Sequence, residues 1–195
     1  MSLAIFVVLV LGILGGMYMP LGISAFLDQA SSFMLLILLF SVGIDLGLNR
    51  HVFAQVCRLG FRILLIPLGV ILGSLWGGAM AAFFMQTQIK EGMAIAAGLG
   101  WYSLSGIILT NAGNPVAGTI SFLSNVFREI FTFILIPFLA KYLNGYSAIA
   151  PAGATSMDTT LGMISRHTDG TITVIAFVNG AICTLLVPVL MQMFL

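Results

Sequence analysis

Charged side chains are so sparse along this chain that the gaps between them define its elements. Met1 to Leu27 carries no acidic or basic residue, nor does Gln29 to Ile44. Ile63 to Ile89, Gly92 to Phe127, Tyr142 to Met157 and Thr171 to Leu195 are equally free of charge. A helix needs about 20 mostly apolar residues to cross ~30 Å of hydrocarbon. The pattern therefore predicts spans at roughly 3–21, 31–48, 62–84, 92–110, 116–140, 148–163 and 172–194. The sixth is short and is interrupted by Pro151, Gly153, Asp158 and Gly162. The expected fold class is all-α: a polytopic integral membrane protein of about seven transmembrane segments, two of them interrupted or re-entrant. Residues 1–85 read as a three-span N-terminal unit and 86–195 as a four-segment transport unit.

Composition closes off the other classes. The 195 residues are 60% hydrophobic and 7% charged, against about 45–50% and about 25% in soluble domains. A net charge of +1 offers no field for nucleic acid. Cys57 and Cys183 lie far apart in apolar runs, giving neither a disulfide framework nor a metal spacing. The first span has no positive n-region and no small-residue cleavage site, so it is not read as a signal peptide. The polar loop from Asn49 to Arg62, with Arg50, His51, Arg58 and Arg62, is expected to be cytoplasmic. Seven alternating crossings then place the amino terminus, Arg166 and His167 inside, and Lys90, Lys141 and the carboxyl terminus outside.

In lipid the polar residues that cost free energy carry the information. Only eleven residues separate Glu129 from Lys141, too few for another crossing, so Arg128 and Glu129 must lie within the fifth span. Each charge near a helix centre costs about 2.5–3.5 kcal/mol. The fourteen Val, Ile, Leu and Phe residues between Val116 and Leu139 return about 0.3–0.6 kcal/mol each. Cost and gain nearly cancel, so the helix needs neighbours or water on its polar face. At about 100° per residue that face is Ser121, Asn125, Arg128 and Thr132, with Glu129 on its flank. Adjacent helical residues diverge, so Arg128 and Glu129 should serve different partners.

Two further stretches are rich in helix breakers. GLGWYSLSGIILT (Gly98 to Thr110) and NAGNPVAG (Asn111 to Gly118) gather five glycines, Ser103, Ser105, Asn111, Asn114 and Pro115 between apolar runs. PAGATSMDTT (Pro151 to Thr160) repeats the chemistry with Thr155, Ser156 and the carboxylate of Asp158. Free backbone at membrane depth is tolerated only against protein or a watery cavity, and paired interrupted helices mark transporter sites. Asp45, in SVGIDLGLNR, is a further candidate near the inner end of the second span. Trp101, Tyr102 and Tyr142 read as interface anchors. No paired-His zinc motif, phosphate-cradling glycine loop or catalytic triad is present, so an enzyme is not expected, and no cofactor.

GLGWYSLSGIILT, the NVFREI helix, GATSMDTTL and a last span ending in LLVPVL together resemble the LysO-type lysine exporter family of bacteria and archaea. The likeness covers most of the chain and is strongest from Gly98 to Asp158. It implies export of L-lysine and related cationic analogues across the cytoplasmic membrane, driven by an ion gradient. It also implies functional intramembrane carboxylates, matched here by Glu129, Asp158 and, more loosely, Asp45. Longer family members carry additional spans before the segment matching Met1. The resemblance is thus to a short form, completed by a second copy of the chain or a small three-span partner subunit. Lysine's carboxylate suits Arg128 or free backbone donors, and its ammonium groups suit Glu129 or Asp158. Proton antiport would use those carboxylates. Sodium antiport would use unwound carbonyls with Asn111, Asn114 or Thr155. A structural membrane subunit and a passive channel are the competing readings.

Overall fold

The computed structural model describes residues 60–195 and scattered positions between 11 and 44. The chain divides into two compact units, Met1–Ile44 and Asp45–Leu195. In the first, every described position is helical. Asp45 and Cys57 lie outside the described residues.

In the second unit a 3₁₀ turn, Phe61–Leu64, leads into α1, Leu65–Phe84. The elements α2 (Ile89–Ala96), α3 (Tyr102–Asn111) and α4 (Pro115–Tyr142) follow. Then come α5 (Gly145–Ile149), a second 3₁₀ turn (Gly153–Met157), α6 (Leu161–His167) and α7 (Gly170–Phe194). Three of these, α1, α4 and α7, are long and apolar enough to cross a membrane.

Side-chain caps fix the starts of the helices that follow tight turns. Asn114 accepts from Ala117 N at 3.0 Å, with Pro115 in the first helical turn, where its missing N–H costs nothing. Asn144 caps α5 through Ser147 N, and Asp169 caps α7 through Ile172 N. Both interior helix breaks follow their glycines. Gly100 has φ +101° and Gly153 φ +61°, a left-handed backbone that side chains with a Cβ rarely adopt.

The two broken segments turn back instead of crossing. Asn114, beyond the end of α3, donates to Glu91 Oε1 at 2.8 Å, and Glu91 opens α2. Both feet of the α2–α3 hairpin therefore stand at the same end of the molecule, its tip at Ala97–Trp101 reaching inward. Its arms of 8 and 10 residues are about 12 and 15 Å long, half a bilayer each. The α5–α6 hairpin enters from the opposite end. Ile63, Ile136, Ile149, Ile164 and Ile172 share one hydrophobic cluster there, bringing the base of this hairpin to the starts of α1 and α7.

This re-entry leaves the path of the remaining helices intact but moves one residue. Alternating crossings put Lys141 at the end opposite Arg166 and His167. In the structure Lys141 ends α4 beside the base of the second hairpin, so it shares an end with Arg166 and His167 in the last turn of α6. Lys90 stands at the other end, its Nζ 3.1 Å from Leu195 O. The physical reason is length: neither broken segment has a helical arm long enough to span hydrocarbon.

Small residues set how closely the hairpins pack. Gly78 of α1 and Gly92 of α2 oppose each other so tightly that a Cβ on either would strike the other's carbonyl oxygen. Such backbone approach replaces the hydrophobic drive that lipid does not supply.

Candidate functional site

The tips of the two hairpins meet halfway along α4. Ala154 N donates to Leu99 O at 2.8 Å, joining the break of one hairpin to the break of the other. Asn125 of α4 ties down the first tip, its Oδ1 accepting from Gly100 N at 2.7 Å. Its Nδ2 donates to Ser121 O at 2.9 Å and approaches Ser105 Oγ at 3.3 Å. One turn on, Arg128 ties down the second tip, with Nε donating to Pro151 O at 2.8 Å. Its Nη1 donates to Ser74 Oγ of α1 at 3.0 Å. From α7, Asn179 Nδ2 donates to Gly153 O at 3.1 Å and to Ser156 Oγ at 2.9 Å. The Ser156 hydroxyl reaches Ala176 O at 2.7 Å, and Thr155 Oγ1 donates to Ala152 O at 2.9 Å. Unwound backbone at this depth has no water or lipid partner, and these side chains satisfy it.

The carboxylates gather on the other flank of α4. Glu129 follows Asn125 by one helical turn and is 8% exposed. It lies within electrostatic reach of Asp158 and beside the Thr159 hydroxyl. Tyr102, opening α3, is within reach of both carboxylates, and its ring packs edge-on against Phe122 at 5.6 Å. Asp158 is exposed, and Thr159 N donates to its Oδ1 at 2.5 Å. Thr159 Oγ1 is sealed from solvent and makes no hydrogen bond of ordinary geometry. Among the described residues neither Glu129 nor Asp158 pairs with a basic side chain. A buried carboxylate, an exposed one, a phenol and a hydroxyl beside both carboxylates make a site suited to an ammonium group or a small cation.

Arg128 opens on a different space. A cleft of about 740 Å³ runs between α1, α4 and α5, lined by Gly73, Ser74, Arg128, Thr132 and Pro151 among others. Arg128 and Glu129 thus serve different partners, as adjacent helical residues must.

Of the residues singled out from sequence, Asn125, Arg128, Glu129, Ser105, Thr155, Ser156 and Asp158 come together where the tips meet. Ser103 sits half-buried in the first turn of α3, one residue from Tyr102. Asn111 and Asn114 stand at the foot of the first hairpin, the length of α3 away, where Asn114 caps α4 and bonds Glu91. That arrangement separates them from the carboxylates. Tyr102 is half-buried, with its ring against Phe122. Ser74, Thr159 and Asn179 were not anticipated. Asn179 had a signal, as a lone amide inside the apolar run TITVIAFVNGAICTLL; Ser74 looked like any small helix-packing residue. Among the described residues no cluster of His, Cys, Asp or Glu could hold a metal ion.

Comparison with known proteins follows the same lines. A family model described as Lysine exporter LysO matches residues 6–195. The chain is 39% identical over 166 residues to Lysine exporter LysO of Escherichia coli (strain K12), covering 85% of this chain and 55% of that protein. It is 36% identical over 169 residues to a Haemophilus influenzae protein named "Putative lysine exporter", covering 87% of this chain and 86% of that one. The chain thus spans little more than half the length of the first relative and most of the second. No solved structure matches.

Proposed function

The chain belongs to the lysine exporter LysO family and is a multi-pass protein of the cell membrane, and from that premise we propose that it exports L-lysine by alternating access. An ammonium group of lysine binds between Glu129 and Asp158, beside Tyr102 and Thr159, where the hairpin tips cross. A counter-cation, proton or sodium, exchanges for it at the same carboxylates, so that loading one expels the other.

The observation that carries this reading is Glu129, a carboxylate buried at the midpoint of a 28-residue helix with no basic partner among the described residues. A buried charge without a partner is costly, and a transported cation supplies the missing one. Two hairpins entering from opposite ends give the alternation a mechanical basis, because each can gate one side of a fixed midpoint. Lys141, Arg166 and His167 gather at the base of the second hairpin, and the positive-inside rule makes that end cytoplasmic. Lysine enters past α5–α6 and leaves past α2–α3.

Proteoliposome counterflow with labelled lysine, with and without imposed proton and sodium gradients, tests the reading. Lysine exchange that accelerates with one gradient supports it and names the ion. Flux that follows the lysine gradient alone makes the protein a passive channel, and no flux leaves it a structural subunit.

A further inference from the structure

The second hairpin carries a hydroxyl that its own backbone does not use. Serine and threonine in helices and turns ordinarily bond a nearby carbonyl of the same segment. Thr155 Oγ1 donates to Ala152 O at 2.9 Å, Ser156 Oγ to Gly153 O at 2.8 Å, and Thr160 Oγ1 to Thr155 O at 2.9 Å. Thr159 departs from this habit. Its Oγ1 is sealed from solvent and meets no backbone acceptor at bonding geometry. What lies within its reach is a pair of carboxylates, Glu129 of α4 and its own neighbour Asp158. A sealed hydroxyl is costly unless an acceptor takes its hydrogen, and here both acceptors are acidic side chains.

The backbone around it is fixed. Thr160 N and Oγ1 both donate to Thr155 O, at 3.1 and 2.9 Å. Leu161 N donates to Asp158 O at 3.2 Å, and Thr159 N to Asp158 Oδ1 at 2.5 Å. The hydroxyl hydrogen stays free to rotate. With one hydrogen and two lone pairs, it can donate to one carboxylate at a time and accept from an ammonium group. The two carboxylates differ in their access to water: Asp158 is exposed, while Glu129 is 8% exposed. A cation leaving Glu129 leaves a bare charge in surroundings that solvate it poorly. A hydrogen turned toward that charge from Thr159 offsets part of the cost. Tyr102 is within electrostatic reach of the same pair, but it stands on the first hairpin, whereas Thr159 is carried by the segment that carries Asp158.

We propose that Thr159 is the positioning residue of the cation site: its hydroxyl donates to whichever of Glu129 and Asp158 has given up the cation, and so lets one cation pass between the buried carboxylate and the exposed one. This rests on the exporter reading above and adds to it the group that lowers the barrier between its two carboxylates.

The test is lysine counterflow in proteoliposomes by two variants, each monodisperse and normalised to protein in the vesicles. Thr159→Val keeps the shape of the side chain and removes the hydroxyl; Thr159→Ser removes the methyl group and keeps the hydroxyl. A hydroxyl role makes valine the more damaging change, and a packing role makes serine so. Thr159→Val should lower the maximal exchange rate about 10-fold or more, the loss of one hydrogen bond to a charged group, with Thr159→Ser within about threefold of wild type. Thr159→Ala, which also lacks the hydroxyl, takes the place of the valine variant should the latter aggregate, with the same expected loss. The half-saturating lysine concentration should move less than the rate, because the hydroxyl acts between binding and release. Exchange by Thr159→Val within about twofold of wild type overturns the inference while leaving lysine export standing. So does a serine variant impaired as much as the valine one, and so does a loss confined to the half-saturating concentration. Absence of any lysine exchange by the wild type removes the exporter reading and this inference together.

Discussion

Leu99 and Ala154 are joined by a single backbone hydrogen bond of 2.8 Å, and through it two hairpins that enter from opposite ends hold each other by their tips. Neither residue has a polar side chain, yet together they fix the depth of the site. Leu99 is fully buried with φ +49°, a strained conformation for a residue other than glycine. Such strain persists only where surrounding contacts over-determine it, and here Asn125, Arg128 and Asn179 do so. The tips are thus held by side chains from two helices that cross the membrane, α4 and α7.

Replacing Glu129 by Gln keeps the size and hydrogen-bonding reach of the side chain and removes its charge. Lysine exchange should fall by about 10- to 100-fold, the loss of a charge-assisted hydrogen bond of about 1.5–3 kcal/mol, with protein abundance unchanged. Counterflow normalised to protein in the vesicles measures it. A fall in abundance with unchanged exchange per molecule would place Glu129 in assembly instead.

Gly153→Ala should disrupt the meeting of the tips. The backbone there has φ +61°, and the added Cβ would strike Leu99 O. A left-handed alanine alone costs of order 1–3 kcal/mol, and the collision adds to it. Thermal unfolding in detergent should show a clear loss for Gly153→Ala. Gly162→Ala, in open space within α6, should be neutral or slightly stabilising.

Asn179→Leu removes two donated hydrogen bonds, to Gly153 O and Ser156 Oγ, and leaves those two groups only the bonds of the Ser156 hydroxyl to Gly153 O and Ala176 O. Each buried group left unsatisfied costs about 1–3 kcal/mol. The expected result is a destabilised protein whose remaining folded fraction exchanges lysine poorly, read by thermal unfolding alongside counterflow. Unchanged stability would mean the second tip is held without α7.

Single cysteines at Lys141 and Arg166 should react with a membrane-impermeant reagent from the same side, and one at Lys90 from the other, in a background lacking Cys57 and Cys183. Seven alternating crossings require Lys141 and Arg166 on opposite sides. Opposite labelling would therefore show that the α5–α6 segment crosses the membrane.

The charge-free runs determined that this chain lives in a membrane and where α1, α4 and α7 lie, and clustered Gly and Pro determined which segments cannot be continuous. Those properties are legible because they depend on local composition: about twenty apolar residues span a bilayer wherever they occur, and clustered Gly and Pro interrupt a helix in any context. The polar stripe of α4 was equally readable, since helical periodicity alone puts Ser121, Asn125 and Thr132 on one face. Whether a broken helix crosses or doubles back is not local. It is settled by contacts such as Asn114 with Glu91, whose partners lie on separate helices. The same holds for the partition between Arg128, which grips Pro151 and Ser74, and Glu129, which faces Asp158 and Thr159. Sequence said that two neighbouring charges must diverge; only the packing of four other elements around α4 decided what each one meets.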